Sequence, residues 1–219
     1  LAESAKLPVG GIMDSWIYQE GYPLVKVERG NKPGTIKLKQ ERFFYLRENS
    51  ADTLFQIPLI IKVGFGAKDG SPEAPNGGMG SFKTIKYLLK EKEANLDLNE
   101  LLSQSSKENK VIAEASDLKL LVVNAGGSGF YRVHYDSELM KCFKSALQEQ
   151  FAAPAQGHVK QTDVPLSTLE RFNLINDFFA LAVNGTAPLP EYLDFLKLFR
   201  LEGDKNVWAL IISSLQYLE

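Results

Sequence analysis

Few residues in this chain could carry chemistry. There are two histidines, His134 and His158, and one cysteine, Cys142. Neither histidine stands in a His-Glu-x-x-His pattern or a Cys/His zinc spacing, and one cysteine cannot build a thiolate cluster. Gly126-Gly127-Ser128-Gly129 is glycine-rich, but a strand pattern follows it, so it lacks the helix N-terminus that holds a phosphate. A turn is the stronger reading. Asp14 and Asp177 sit in otherwise apolar helical stretches, where paired carboxylates could do acid–base work. They fall in different expected domains without a nameable partner, so capping or a structural hydrogen bond explains each better. Cys142 lies beside Phe143 with no recognisable base, which reads as a buried, inert thiol. His158 lies in a polar loop and reads as solvated. Catalytic, cofactor-binding and metal-ligating residues are all expected to be none.

The elements around these residues follow from periodicity. A short helical stretch, Ile12–Gln19, is closed by Gly21-Tyr22-Pro23, since the residue before proline disfavours helix. Leu24–Glu28, Thr35–Arg47 and Leu54–Gly64 are rich in β-branched and aromatic residues and are separated by turn signals. In the third, Phe55, Ile57, Leu59, Ile61 and Val63 share one face, opposite Gln56, Pro58 and Lys62. Pro58 places that strand at an edge or a bulge. Leu118–Asn124 and Phe130–Tyr135 flank the glycine run and read as a hairpin. Within the second of these, Tyr131, Val133 and Tyr135 form a buried face, and Arg132 and His134 an exposed basic one.

Residues 67–80 have the composition of a flexible insertion. Beyond them Leu96, Leu98, Leu101 and Leu102 fit a short helix or a packed strand equally.

From Asp136 the period becomes helical: Leu139, Met140, Phe143, Leu147 and Phe151 form one stripe. A loop through Ala153–Val164 follows. Ser167-Thr168-Leu169-Glu170 is a capping box that opens a helix over Arg171–Asn184, ended by Gly185. Asn184-Gly185-Thr186 fits the glycosylation pattern, yet a helix-ending Asn-Gly explains it without a sugar. Pro190 suits the first turn of a helix running to about Leu201. Gly203 breaks it, and a last helix starts near Asn206. Short helices with large apolar faces suggest a stacked array, and strands before helices in separate blocks suggest two domains.

Composition adds mainly exclusions. With 44% hydrophobic and 24% charged residues and a net charge of −2, the chain is ordinary for a globular protein. No basic cluster points to nucleic acid, and no apolar run reaches the roughly 20 residues of a membrane span. A single cysteine leans toward a reducing, cytoplasmic compartment, although a segment of a secreted protein could look the same, so the compartment stays open. The start, Leu1-Ala2-Glu3-Ser4, shows neither an initiator Met nor a signal-peptide order, and the last helix stops at Glu219 without a cap. Both ends read as cuts from something longer.

Three segments, in order, resemble the M1 zinc aminopeptidases. Ile12–Pro23 (IMDSWIYQEGYP) resembles the close of their catalytic domain. Val123–Asp136 (VNAGGSGFYRVHYD) resembles their end-of-sandwich hairpin, with Phe130 where tyrosine is usual and His134 where asparagine is usual. Leu169–Ala182 (LERFNLINDFFALA) looks like an early helix of their C-terminal domain. Between the first two, Lys39–Phe44 (KQERFF) is similar to a Q-x-R-F strand. The glycine/proline-rich insertion is longer than the family's usual one.

The resemblance implies a multidomain β-plus-α layout. Residues 1–23 would be the tail of a thermolysin-like catalytic domain and residues 24–135 an immunoglobulin-like antiparallel β-sandwich. Residues 136–219 would open an all-helical, armadillo/HEAT-like domain. It further implies a parent that removes N-terminal residues from peptides with a zinc ion. All of the zinc ligands and catalytic groups would lie upstream of Leu1, so this chain itself would neither bind zinc nor cleave a peptide bond. Its partners would be the parent's catalytic and remaining helical portions, with peptides as the parent's substrates. Two alternatives stay open: an M1-like protein that has lost its zinc site and acts in protein–protein interaction, and a free-standing adhesion or interaction module.

Overall fold

A computed structural model describes residues 8–46, 53–66, 79–105, 118–152 and 164–219. His158 and nearly all of the 67–80 insertion lie outside them. In chain order the elements are α1 (Val9–Ile17), β1 (Pro23–Arg29), β2 (Thr35–Arg42), β3 (Ile57–Gly66), β4 (Met79–Leu89) and β5 (Glu93–Asp97). There follow α2 (Leu98–Ser105), β6 (Leu118–Val122), β7 (Arg132–Tyr135), α3 (Ser137–Ala152), α4 (Thr168–Val183), α5 (Leu189–Leu196) and α6 (Lys205–Leu218). Two short 3-10 segments, Ala125–Gly127 and Lys197–Leu201, join them.

The strands form two sheets, one of four strands in the order β5-β2-β1-β7 and one of three in the order β4-β3-β6. Period-two alternation sets the inward faces. Phe55, Ile57, Leu59, Ile61 and Val63 are all buried, and they meet Val25, Val27, Ile36 and Leu38 from the other sheet in one core. The α3 stripe joins that core through Leu139, Phe143 and Leu147, with Met140 and Phe151 partly buried against it.

Four expectations need correction. The expected hairpin does not form: β6 belongs to the three-stranded sheet and β7 to the four-stranded one. The glycine run therefore carries the chain from sheet to sheet. In place of a ladder, two side chains serve the backbone of Val123. Its carbonyl accepts from the Tyr131 hydroxyl at 2.8 Å, and its N–H donates to the Tyr135 hydroxyl at 2.9 Å. Asn124 closes the turn by exchanging two hydrogen bonds with Gly129.

Nor is the four-stranded sheet wholly antiparallel, because β7 pairs parallel to β1, with Val25 opposite Val133. A strand arriving from another sheet is not bound by a tight turn to run antiparallel. Strand β3 is central rather than an edge. Even so, β6 pairs with it only over Lys62–Phe65, so Pro58 sits where β4 alone is its ladder partner and its missing N–H costs little. Finally, β4 and β5 occupy a stretch read as loop and mostly polar sequence. The four leucines read as helix or strand divide between both: Leu96 is in β5, and Leu98, Leu101 and Leu102 are in α2.

Candidate functional site

The residues that bind the sheets to the helices start with the capping box. Ser167 accepts from the Glu170 N–H, and Glu170 Oε2 accepts from the Ser167 N–H at 2.8 Å. The same oxygen takes Lys62 Nζ from β3 at 2.6 Å, and Oε1 takes the Gly126 N–H at 3.0 Å. Lys62 and Glu170 are both buried. One glutamate thus caps α4, neutralises a lysine inside the protein and fixes the crossing turn.

Two turns along α4, Asp177 is buried and faces β7. Its Oδ1 lies 3.1 Å from Arg132 Nη1, and its Oδ2 accepts the Val133 N–H at 3.0 Å. That N–H belongs to the edge strand of its sheet and would otherwise go without a partner. Burial pushes the Asp177 carboxyl up to about 7, against the pull of the Arg132 guanidinium and the Val133 N–H. Burial also raises the Tyr131 and Tyr135 hydroxyls above their ordinary value.

Arg132 spends its donors on several elements. It reaches the Tyr22 hydroxyl at 3.2 Å, the Tyr45 hydroxyl at 3.0 Å and the Asn176 carbonyl at 3.1 Å. Its guanidinium lies 5.0 Å from the Phe43 ring centroid, and Phe43 stacks on Tyr22. The expected exposed basic face is therefore half-buried. His134, also half-buried, is held below its ordinary pKa by burial and by Lys26.

A third buried pair ties helices together. Arg171 grips Glu202 with two bonds of 2.6 and 2.8 Å and donates to the Leu166 carbonyl. Asp136 links strand to helix, taking the Arg29 N–H at 2.6 Å and capping α3 through the Leu139 N–H. Asn184 does the structural work expected of it: its amide donates to the Phe44 carbonyl, and its oxygen takes the Thr186 N–H.

The remaining candidates do not gather. Asp14 is exposed on α1, and its backbone carbonyl accepts the Tyr18 N–H that closes the helix. Cys142 is half-buried rather than buried, with its sulfur 2.9 Å from Arg29 Nη2. Among the described residues no three His, Cys, Asp or Glu side chains come together as a metal site. Sequence reasoning missed the pairs: Lys62 read as an outward polar residue, and nothing local singled out Glu202 as a partner for Arg171. The legible signals were Glu170, singled out for its local capping role, and Asp177, expected to make a structural hydrogen bond.

Beside this junction a cavity of about 480 Å³ opens between β7, α3, α4 and the turn into α5.

The sequence profile of the ERAP1-like C-terminal domain matches residues 120–219. Over 217 residues the chain is 30% identical to Tricorn protease-interacting factor F2 of Thermoplasma volcanium, covering 99% of this chain and 20% of that protein. It is 28% identical over 219 residues to Probable aminopeptidase 2 of Sulfurisphaera tokodaii, with 100% and 21% covered. It is 27% identical over 211 residues to Aminopeptidase M1 of Arabidopsis thaliana, with 94% and 20% covered. The chain belongs to the M1 aminopeptidase family. It spans about a fifth of the length of these relatives. Two of the segments that resemble M1 proteins, Val123–Asp136 and Leu169–Ala182, are the ones that meet in the junction. Gly126, Gly127, Arg132 and Val133 from the first touch Glu170, Asn173 and Asp177 from the second.

Proposed function

We propose that this chain is the strut and part of the cavity wall of a zinc-dependent M1 aminopeptidase, which removes N-terminal residues from peptides. The supporting observation is that the family-like segments are spent on holding sheets against helices. Glu170 and Asp177 each meet donors of the fold, and Lys62, Arg132 and Arg171 each meet a carboxylate.

In this reading residues 1–23 close the catalytic domain, 24–135 form an immunoglobulin-like sandwich, and 136–219 open a helical-repeat domain. The shared core of the two sheets supports the second assignment, and the succession α3 to α6 supports the third. In this reading the zinc ion and the groups acting with it belong to other parts of the parent, as the resemblance implies. Exposed apolar side chains on α1 and α6, among them Ile17 at 63% and Ile212 at 50% exposure, support packing against those parts.

The test is aminopeptidase activity toward aminoacyl chromogenic substrates, with zinc supplied, for this chain beside its full-length parent. An active parent and an inert chain are expected. If both are inert and the parent takes up no zinc, the parent is an M1-like protein that has lost its metal site. Activity in the isolated chain would overturn the reading.

A further inference from the structure

We propose that an aromatic ridge from Trp16 to Tyr45, with Phe130 at its crest, is the docking surface for an apolar face of the parent's catalytic portion, the part ahead of Leu1. This rests on the reading above that residues 1–23 close a catalytic domain. The ridge is continuous. Between ring centroids Trp16 lies 6.4 Å from Phe130, Phe130 5.4 Å from Tyr22, Tyr22 5.5 Å from Phe43, and Phe43 5.0 Å from Tyr45. It crosses from α1 to the turn between the sheets, then over the entry to β1 and the exit of β2. Joined in this way, the rings make a patch, which marks an interaction site where scattered apolar residues would not.

Phe130 stands out from the protein on a fixed base. Its ring is 72% exposed. Yet Gly129 before it exchanges two hydrogen bonds with Asn124, and the hydroxyl of Tyr131 after it donates to the Val123 carbonyl. A ring presented on a rigid turn loses little freedom when it is covered, which suits an interface anchor.

Helix α1 supplies the second observation. Its nine residues include none that is buried, although helices under ~12 residues are marginal by themselves. One side is tied down, where Trp16 Nε1 donates to the Gln56 carbonyl at 3.0 Å and Ser15 Oγ accepts the Gln56 N–H. Met13 and Ile17 share a face with Trp16 at i, i+3, i+4 spacing, and they are 50% and 63% exposed. Asp14 is the one charged residue of α1, and at the margin Arg42 meets Glu20 at 3.4 Å. No unbalanced charge borders the ridge, so it selects an apolar partner.

Connectivity decides which partner. The chain spans about a fifth of the length of its M1 relatives, and in this reading the catalytic portion runs directly into α1. A partner tethered there meets the ridge at an effective concentration of about millimolar, which a second copy reaches only at comparable protein concentration.

The test places p-benzoylphenylalanine at position 130 of the full-length parent, irradiates it and maps the crosslinks by mass spectrometry. Crosslinks to peptides ahead of Leu1 are expected. The proposal fails if the crosslinks outside this chain go to peptides beyond Glu219 or to a second copy, or if all of them stay within residues 1–219. As a second measurement, Phe130→Ser should leave the melting temperature of the 219-residue chain unchanged and lower that of the parent. An equal fall in both would confine Phe130 to this chain's own fold and overturn the proposal. The aminopeptidase assay on the same parent separates the two readings. An inert, zinc-free parent that gives the expected crosslink would sink the activity and leave the docking surface standing, whereas an active parent without the crosslink would sink the docking surface alone.

Discussion

Lys62 Nζ lies 2.6 Å from Glu170 Oε2, joining the central strand of one sheet to the first turn of α4 through a pair that is almost wholly dry. Such a pair gains little against an apolar substitute but is costly to break, because the survivor is left buried and charged. Glu170→Gln should therefore lower stability by about 3 kcal/mol in urea unfolding. Adding Lys62→Met should return much of that loss. A single variant within about 0.5 kcal/mol of wild type would mean the pair does not bind the strand to the helix.

The crossing turn offers a controlled comparison. Gly126 and Gly127 both have positive φ, +72° and +68°. A Cβ on Gly126 would meet nothing within 4 Å, whereas one on Gly127 would lie 2.6 Å from both Leu169 Cγ and Asn173 Nδ2. Gly126→Ala should cost about 1 kcal/mol, the strain of a left-handed residue alone. Gly127→Ala should cost about 1–2 kcal/mol more, since the Leu169 and Asn173 side chains of α4 must give way to admit the methyl group. Thermal melts of the two variants should differ in that order, and equal melting temperatures would show that α4 does not rest on the turn.

Local physics made part of this fold readable. The α3 stripe, the Ser167 capping box and the alternation in β3 are patterns complete within a few residues, and each has its expected place in the structure. Strand β4 was missed because Lys83 interrupts the face of Ile85, Tyr87 and Leu89 and the opposite face carries Thr84 and Lys86, so the stretch reads as mostly polar. The false hairpin came from two strand patterns beside a glycine run. Only tertiary packing tells whether such strands pair with each other or separate to two sheets. The ion pairs were out of reach for a related reason: Lys62 and Glu170 are 108 residues apart, and nothing local to either announces the other.

The Asp177 carboxyl makes a prediction about pH. Raised to about 7 by burial, it holds its proton more tightly in the folded chain than in the unfolded one. Its contribution is therefore fully present below about pH 4 and is lost as the pH rises through about 7. His134, lowered by burial, works in the opposite sense, giving stability that rises with pH toward about 6.5. His134 is present in both wild type and Asp177→Asn, so the difference between them isolates the aspartate. Denaturant midpoints taken from pH 4 to 8 should show wild type losing ground to the variant as the pH rises, then levelling. A difference that is flat across the whole range would mean that Asp177 keeps an ordinary pKa in the folded protein.

Arg132 tests whether the junction matters to catalysis as well as to stability. Its planar fork serves Tyr22, Tyr45, Asn176 and Asp177 together, a geometry that a lysine ammonium cannot reproduce. Arg132→Lys keeps the charge beside Asp177 but gives up the bonds that fan out to the aromatic cluster. In the isolated chain it should cost about 2 kcal/mol, read as a lower urea midpoint. In the full-length parent, the proposed strut role leads to a second expectation, because the position of the helices against the sheets would help set the open and closed forms of a substrate cavity. Turnover of an aminoacyl substrate should change several-fold while bound zinc, measured by atomic absorption, stays at the wild-type level. Lower stability with unchanged kcat and KM would confine Arg132 to folding and remove the junction from the catalytic cycle.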